Sequence, residues 1–210
     1  MNLPNRLTLS RVLMIPVFVA LLETAYIRTM PQGARTILCA AATLVFVAAA
    51  ITDIIDGKLA RRWGMITDFG KLFDPLADKL LVTAALIIFV YHGFFHGWVV
   101  VVILSREFIV TGLRSLGERH QRTIAADNWG KWKTISQTVA IIYGLVHITV
   151  LNAAQLAGPL QSIWIGPPHL EYWSGWMLDA LITVALLTTV ASGVTYLVRN
   201  WDLVDQRARD

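Results

Sequence analysis

The stretch ILCAAATLVFVAAAITDIIDG, residues 37–57, runs without a charge from Ile37 to Thr52 and then meets Asp53 and Asp56. A bilayer core of about 30 Å takes roughly 20 helical residues to cross, and a backbone in hydrocarbon must satisfy its own hydrogen bonds. The stretch therefore predicts a helix over 35–57 that crosses lipid and delivers two carboxylates to the water at its end. A second uncharged run, LLVTAALIIFVY at 80–91, follows close behind. Between the two runs fall Asp53, Asp56, Asp68, Asp74 and Asp78, an unusual density of acid for such surroundings.

Working outward, the same pattern gives six membrane spans, at 8–27, 35–57, 76–95, 97–116, 134–152 and 176–198, in one all-α domain over 1–210. The composition agrees. Hydrophobic residues make up 56% and charged residues 15%, against about 45–50% and 25% in soluble domains. A β-barrel would need short alternating segments, whereas these runs are continuous. The first run, VLMIPVFVALL at 12–22, follows Arg6 and Arg11 as a signal peptide would. Glu23 and the lack of a small-residue cleavage pattern make it a retained helix instead. Residues before it form a short interfacial segment.

Basic residues set orientation. Lys58, Arg61, Arg62, Lys71 and Lys79 lie between the second and third spans, and Arg114, Arg119, Arg122, Lys131 and Lys133 between the fourth and fifth. Arg199, Arg207 and Arg209 follow the sixth, while Arg28 and Arg35 alone fall on the other side. Both termini and the acid-rich segment are thus expected in the cytoplasm. The net charge of +4 suits anionic headgroups, and no soluble basic domain is present to hold nucleic acid. Cys39 stands alone, so there is neither a disulfide nor a thiolate metal framework.

Asp53 and Asp56, at i and i+3, lie about 60° apart on one helix face, and Asp74 and Asp78, at i and i+4, about 40° apart on another. Four carboxylates brought together repel and take up protons unless a cation neutralises them. Oxygen ligands of this kind suit Mg²⁺, Mn²⁺ or Ca²⁺ rather than zinc. Two such ions can clamp the attacking and leaving oxygens of a phosphoryl displacement. Gly57 and Ala60 leave room beside the acids, as close helix packing would also require, and Arg61 offers a bidentate phosphate contact. Asp68 reads as a solvated loop residue. Arg106, within the fourth span, is an intramembrane charge and so a functional candidate. Arg114 lies eight residues on, about 80° around the same helix. With Lys131 and Lys133 these arginines form a cationic pocket for a phosphorylated ligand, although Arg114 and the lysines can also snorkel to headgroups. Glu107 reads as the partner of a neighbouring cation, and Arg11 as a headgroup contact or a structural ion pair.

Asp53, Asp56, Gly57, Ala60, Arg61, Gly70, Asp74 and Asp78 fill the pattern D-x2-D-G-x2-A-R-x8-G-x3-D-x3-D without a gap. In this the chain resembles the CDP-alcohol phosphotransferases, a family of six-helix, usually dimeric membrane enzymes. The resemblance implies that Asp53, Asp56, Asp74 and Asp78 hold two Mg²⁺ or Mn²⁺ ions. It makes Asp78 also the base that deprotonates the acceptor hydroxyl, and it implies that Gly57, Ala60, Arg61 and Gly70 accommodate the CDP group. It places Asn5 and Thr8 at the nucleotide site, whereas a cap on the interfacial segment is the local reading of Asn5. NLPNRLTLSRVLMIP at 2–16, SREFIVTGLR at 105–114 and GKWKT at 130–134 resemble the bacterial members that make phosphatidylglycerol phosphate. The implied substrates are CDP-diacylglycerol and sn-glycerol 3-phosphate, and the implied setting is the bacterial inner membrane, with a homodimer facing the cytoplasm. Inositol phosphate, serine or phosphatidylglycerol as acceptor gives the alternative within the family. A divalent-cation transporter gives the alternative outside it, although its acids belong nearer the bilayer midplane.

Overall fold

Long uncharged runs with few helix breakers leave the backbone one economical arrangement, and six α-helices result among the described residues. The computed structural model describes residues 3–63, 68–119, 128–156 and 169–201. The helices are α1 (Leu3–Ala25), α2 (Gln32–Trp63), α3 (Asp68–Tyr91), α4 (Gly97–Arg119), α5 (Asn128–Leu156) and α6 (His169–Arg199). Each contains one of the six predicted spans in whole or large part. Three stretches, Gln32–Asp53, Trp129–Gln155 and Gly175–Arg199, are long and apolar enough to cross a membrane.

The helix ends differ from the predicted ones, for local reasons. The first helix begins at Leu3, so no break separates an interfacial segment from the first span, and Asn5 and Thr8 lie inside α1 rather than ahead of it. Asn5 is therefore not its cap. α3 begins at Asp68, so this residue opens a helix instead of lying in a loop, where an acid suits the positive end of the helix dipole. It ends at Tyr91 rather than 95 because Gly93 takes φ +76°, a left-handed conformation that a Cβ would penalise. α2 continues to Trp63 past the end of its apolar run, since Lys58, Arg61 and Arg62 are good helix formers.

Contacts divide the chain into two compact units, Met1–Phe89 with Ile141–Trp176, and Val90–Ala140 with Met177–Asp210. In the first unit α1 packs on α2. The buried residues Phe18, Leu22 and Ala25 of α1 and Cys39, Ala42, Phe46 and Ala49 of α2 recur at three- and four-residue steps, the spacing of one helix face. The rings of Phe18 and Phe46 meet at 5.5 Å. Arg35 Nε donates to the Ala25 carbonyl at 3.0 Å, satisfying an acceptor that the end of α1 leaves open. Gln32 Nε2 donates to the Asn152 carbonyl at 3.0 Å and to Gln155 Oε1 at 3.0 Å, which ties the start of α2 to the end of α5.

The second unit is built the other way round from a soluble bundle. Along α6 the buried positions include Thr189, Ser192 and Tyr196, while Leu187, Val190, Val194 and Val198 are exposed. On α5 the buried positions include Lys133 and Gln137, while Trp132, Ile135 and Val139 are exposed. Polar groups inside and aliphatic groups outside form the pattern expected where the solvent is lipid.

Candidate functional site

In the first unit the motif residues occupy the end of α2 and the start of α3. Asp53, Asp56, Gly57, Ala60 and Arg61 follow one another on α2, and Gly70, Asp74 and Asp78 lie on α3. Helical backbone on both sides gives each pair of acids the spacing the motif requires. The side chains of Asn5, Thr8, Asp56, Ala60, Arg61, Asp74 and Asp78 lie outside the described set, as do residues 64–67.

Asp53 is described in full. Its Oδ1 stands 2.6 Å from Nη1 of Arg11, which is 1% exposed and is among the largest fully buried side chains. Arg11 is thus a structural ion pair and not a headgroup contact. The pair fixes α1 against α2 at the first acid of the motif. Asp53 itself is 41% exposed, so water or a ligand reaches it. An all-carboxylate donor set with one member accessible fits a hard divalent ion. Removing one partner of a fully buried pair costs about 3–5 kcal/mol. Arg11→Ala is expected to cost less, about 2–3 kcal/mol, because Asp53 is half-exposed. A lowered thermal midpoint of the purified protein in detergent checks this; an unchanged midpoint would mean that the pair has no structural weight.

A groove of about 440 Å³ begins next to this corner. It is lined by Val12, Ile15 and Pro16 of α1 and by Leu80, Ala84 and Ile87 of α3. Val12 adjoins Arg11, and Leu80 comes two residues after Asp78. Pro16 lacks the N–H that would bond back to residue 12 and so loosens α1 along the groove.

The second unit gathers the basic candidates. Arg106 has a side chain 12% exposed. Its Nη1 donates to Glu107 Oε1 at 3.3 Å and its Nη2 donates to Ser192 Oγ, while its Nε is buried without a hydrogen-bond partner. An unmet buried donor costs about 1–3 kcal/mol, and an anion beside Arg106 would supply the missing acceptor. Lys133, 7% exposed, donates to the same Glu107 Oε1. Glu107 thus pairs with neighbouring cations, Arg106 and Lys133 both meeting its Oε1. Arg114 is exposed; its Nε donates to Tyr196 Oη at 3.2 Å and its guanidinium carbon lies 5.7 Å from the centre of that ring. Lys131 is exposed, so the structure brings Lys133 but not Lys131 into the seam.

Gln137 Nε2 donates to Thr189 Oγ1 at 3.0 Å, and the Ser136 and Thr188 hydroxyls meet at 2.8 Å, extending the seam between α5 and α6. Sequence reasoning did not single out Thr189, Ser192, Gly193 or Tyr196. Their signal is present in TTVASGVTY, residues 188–196, where hydroxyl and small residues repeat along one face of an otherwise aliphatic helix. Among the described residues no three His, Cys, Asp or Glu side chains gather as a metal site.

Comparison with known proteins bears on both halves of this arrangement. Residues 1–166 match the model of the CDP-alcohol phosphatidyltransferase family. The chain is 37% identical over 204 residues to the CDP-diacylglycerol–glycerol-3-phosphate 3-phosphatidyltransferase of Bacillus subtilis, covering 96% of each chain. It is 39% identical over 198 residues to a probable phosphatidylglycerophosphate synthase of Mycobacterium tuberculosis, covering 94% of this chain and 81% of that one. It is 36% identical over 190 residues to the CDP-diacylglycerol–glycerol-3-phosphate 3-phosphatidyltransferase of Haemophilus influenzae, covering 85% and 96%. With the complete acid motif on α2 and α3 and this similarity along nearly its whole length, the chain belongs to the CDP-alcohol phosphatidyltransferase family.

Proposed function

We propose that the protein transfers the phosphatidyl group of CDP-diacylglycerol to sn-glycerol 3-phosphate, giving phosphatidylglycerol phosphate and CMP. The observation that carries this reading is the agreement, over 96% of both chains, with a relative named for that reaction. The buried, unpartnered Nε of Arg106 supports an acceptor that is itself an anion.

Each group then has a task. Asp53, Asp56, Asp74 and Asp78 hold divalent ions, Mg²⁺ or Mn²⁺ by their oxygen donors. When bound, two such ions would stabilise charge on the pyrophosphate and on the departing CMP. Asp78 accepts the proton of the acceptor's primary hydroxyl as its oxygen attacks the lipid-side phosphorus. Gly57, Ala60 and Gly70 leave space for the nucleotide, Arg61 pairs with its phosphate, and Asn5 and Thr8 line the same region. Arg106 and Arg114 bind the acceptor's phosphate, and Lys133, through its charge, favours the anion. Lys131 meets the acceptor at the exposed rim. The displacement is direct, since no Ser, Cys or His takes the part of a nucleophile. The groove between α1 and α3 suits an acyl chain.

The same reading makes the chain a single six-span domain of the bacterial inner membrane, with both termini and the acids on the cytoplasmic side, working as a homodimer. The distribution of Lys and Arg supports the orientation. A panel of acceptors tests the reading: purified protein in detergent is given CDP-diacylglycerol, Mg²⁺ and, separately, glycerol 3-phosphate, inositol phosphate, serine and phosphatidylglycerol. CMP release with glycerol 3-phosphate alone is expected. Turnover with another acceptor in its place would leave the family chemistry standing and overturn the acceptor.

A further inference from the structure

The two arginines assigned to the acceptor's phosphate are both held by α6, a helix that lies beyond residues 1–166, the stretch matched by the family model. Ser192 accepts from Arg106 Nη2, and Tyr196, one turn on, accepts from Arg114 Nε at 3.2 Å. Gly193 lies between them, and a Cβ built there would come within 3.0 Å of Arg106 Cγ. The absence of that Cβ lets the arginine stem pass against the α6 backbone. Tyr196 is 3% exposed and is packed with Val110, Leu113 and Leu197, so its hydroxyl is a fixed point. The contacts advance together along both helices, Arg106 with residues 192 and 193, then Val110, Leu113 and Arg114 with Tyr196. α4 and α6 therefore run in the same direction, with about two turns of α4 reaching one turn of α6.

From this geometry, and resting on the acceptor assignment above, we infer that Ser192, Gly193 and Tyr196 are positioning residues that preset the two guanidinium groups for the acceptor's phosphate. A free arginine samples many rotamers, and an anion that binds it must bear the cost of ordering it. Here the ordering is done beforehand. Tyr196 takes only Nε of Arg114, leaving both Nη groups, which can meet two phosphate oxygens side by side. Ser192 and Glu107 take one hydrogen on each Nη of Arg106, and the buried Nε remains for the anion. Such a device acts on the binding of glycerol 3-phosphate and leaves CDP-diacylglycerol alone.

Steady-state CMP release by the full-length protein, with each substrate varied in turn, tests this. Tyr196→Phe removes one oxygen and keeps the ring. It is expected to raise KM for glycerol 3-phosphate about tenfold, the worth of a hydrogen bond to a charged group. Its kcat is expected to stay within about twofold, with KM for CDP-diacylglycerol unchanged. Ser192→Ala is expected to behave alike, and Ser192→Thr, which restores a hydroxyl, to recover most of the loss. Because Tyr196 acts through Arg114, adding Tyr196→Phe to Arg114→Lys should raise KM little beyond Arg114→Lys alone. If Arg114→Lys raises KM but folded Tyr196→Phe and Ser192→Ala do not, the positioning role is overturned and the acceptor assignment stands. If the variants move both KM values and the thermal midpoint together, α6 is a structural seam only. If the wild type does not turn over glycerol 3-phosphate, the acceptor assignment fails and this role fails with it.

Discussion

Asp78→Asn is expected to lower CMP release from CDP-diacylglycerol and glycerol 3-phosphate by about three orders of magnitude or more. A positioned general base contributes about 10²–10⁴, and this residue also completes the acid set on α3. The change is nearly isosteric, and Asn and Asp have similar helix propensities, so α3 should persist with Ala77 still buried beside it. The measurement is single-turnover CMP release, with the thermal midpoint in detergent recorded on the same sample. Activity within tenfold of wild type would take the base role away from Asp78 and return it to another motif acid. Asp74→Asn serves as a contrast. If Asp74 only holds metal, its loss should shift the Mg²⁺ concentration needed for activity, and added Mg²⁺ should recover part of the rate.

Removal of divalent ions is the second large effect. Dialysis against a chelator is expected to abolish CMP release to the detection limit, and millimolar Mg²⁺ or Mn²⁺ to restore it. The expectation rests on charge: carboxylates brought together repel one another, and a divalent ion offsets that repulsion. Arg11 answers for part of one, Asp53. If these acids hold divalent ions, protons compete for the same oxygens, so apparent metal affinity should weaken as the pH falls. Mg²⁺ titrations of activity at several pH values check the direction. Full activity after exhaustive chelation would remove the divalent ions from the mechanism.

The sequence was most informative where one physical requirement dominates. Helices could be read because crossing hydrocarbon demands long uncharged helical runs; each predicted run lies wholly or largely in a helix, and three helices among the described residues are long and apolar enough to cross a membrane. The acid motif could be read because catalytic spacing on a helix leaves a fixed pattern. Helix ends were less legible. Hydropathy marks where lipid gives way to water, but α2 continues through Lys58, Arg61 and Arg62 to Trp63, since these residues favour helix in water as well. Asp68 looked like a loop residue for the same reason: its polarity reports its surroundings and not its backbone. Arg11 left two readings open because a charged residue near a helix start suits headgroups as well as a buried partner, and only the position of Asp53 decides. The α6 seam escaped notice because Ser, Thr and Gly are ordinary in membrane helices, and their meaning comes from the arginines on a helix more than 80 residues earlier.

The α6 seam also has a consequence for assembly of the helix in lipid. An aliphatic cylinder would be free to spin about its axis, since every face suits hydrocarbon equally well. α6 is not such a cylinder. A turn of nearly half a revolution would carry Thr189, Ser192 and Tyr196 out of the interior and bring Val190, Val194 and Val198 into their places. Each stranded hydroxyl would cost about 1–3 kcal/mol, and Arg106 and Arg114 would lose their acceptors as well. The sum far exceeds thermal energy, so the hydroxyls act as a key that admits one angular setting. Greasy residues on the outer face of α6 should then be freely exchangeable among Val, Leu and Ile. The rotational setting is encoded on the narrow inner face, in residues that a hydropathy plot scores as the weakest part of the helix.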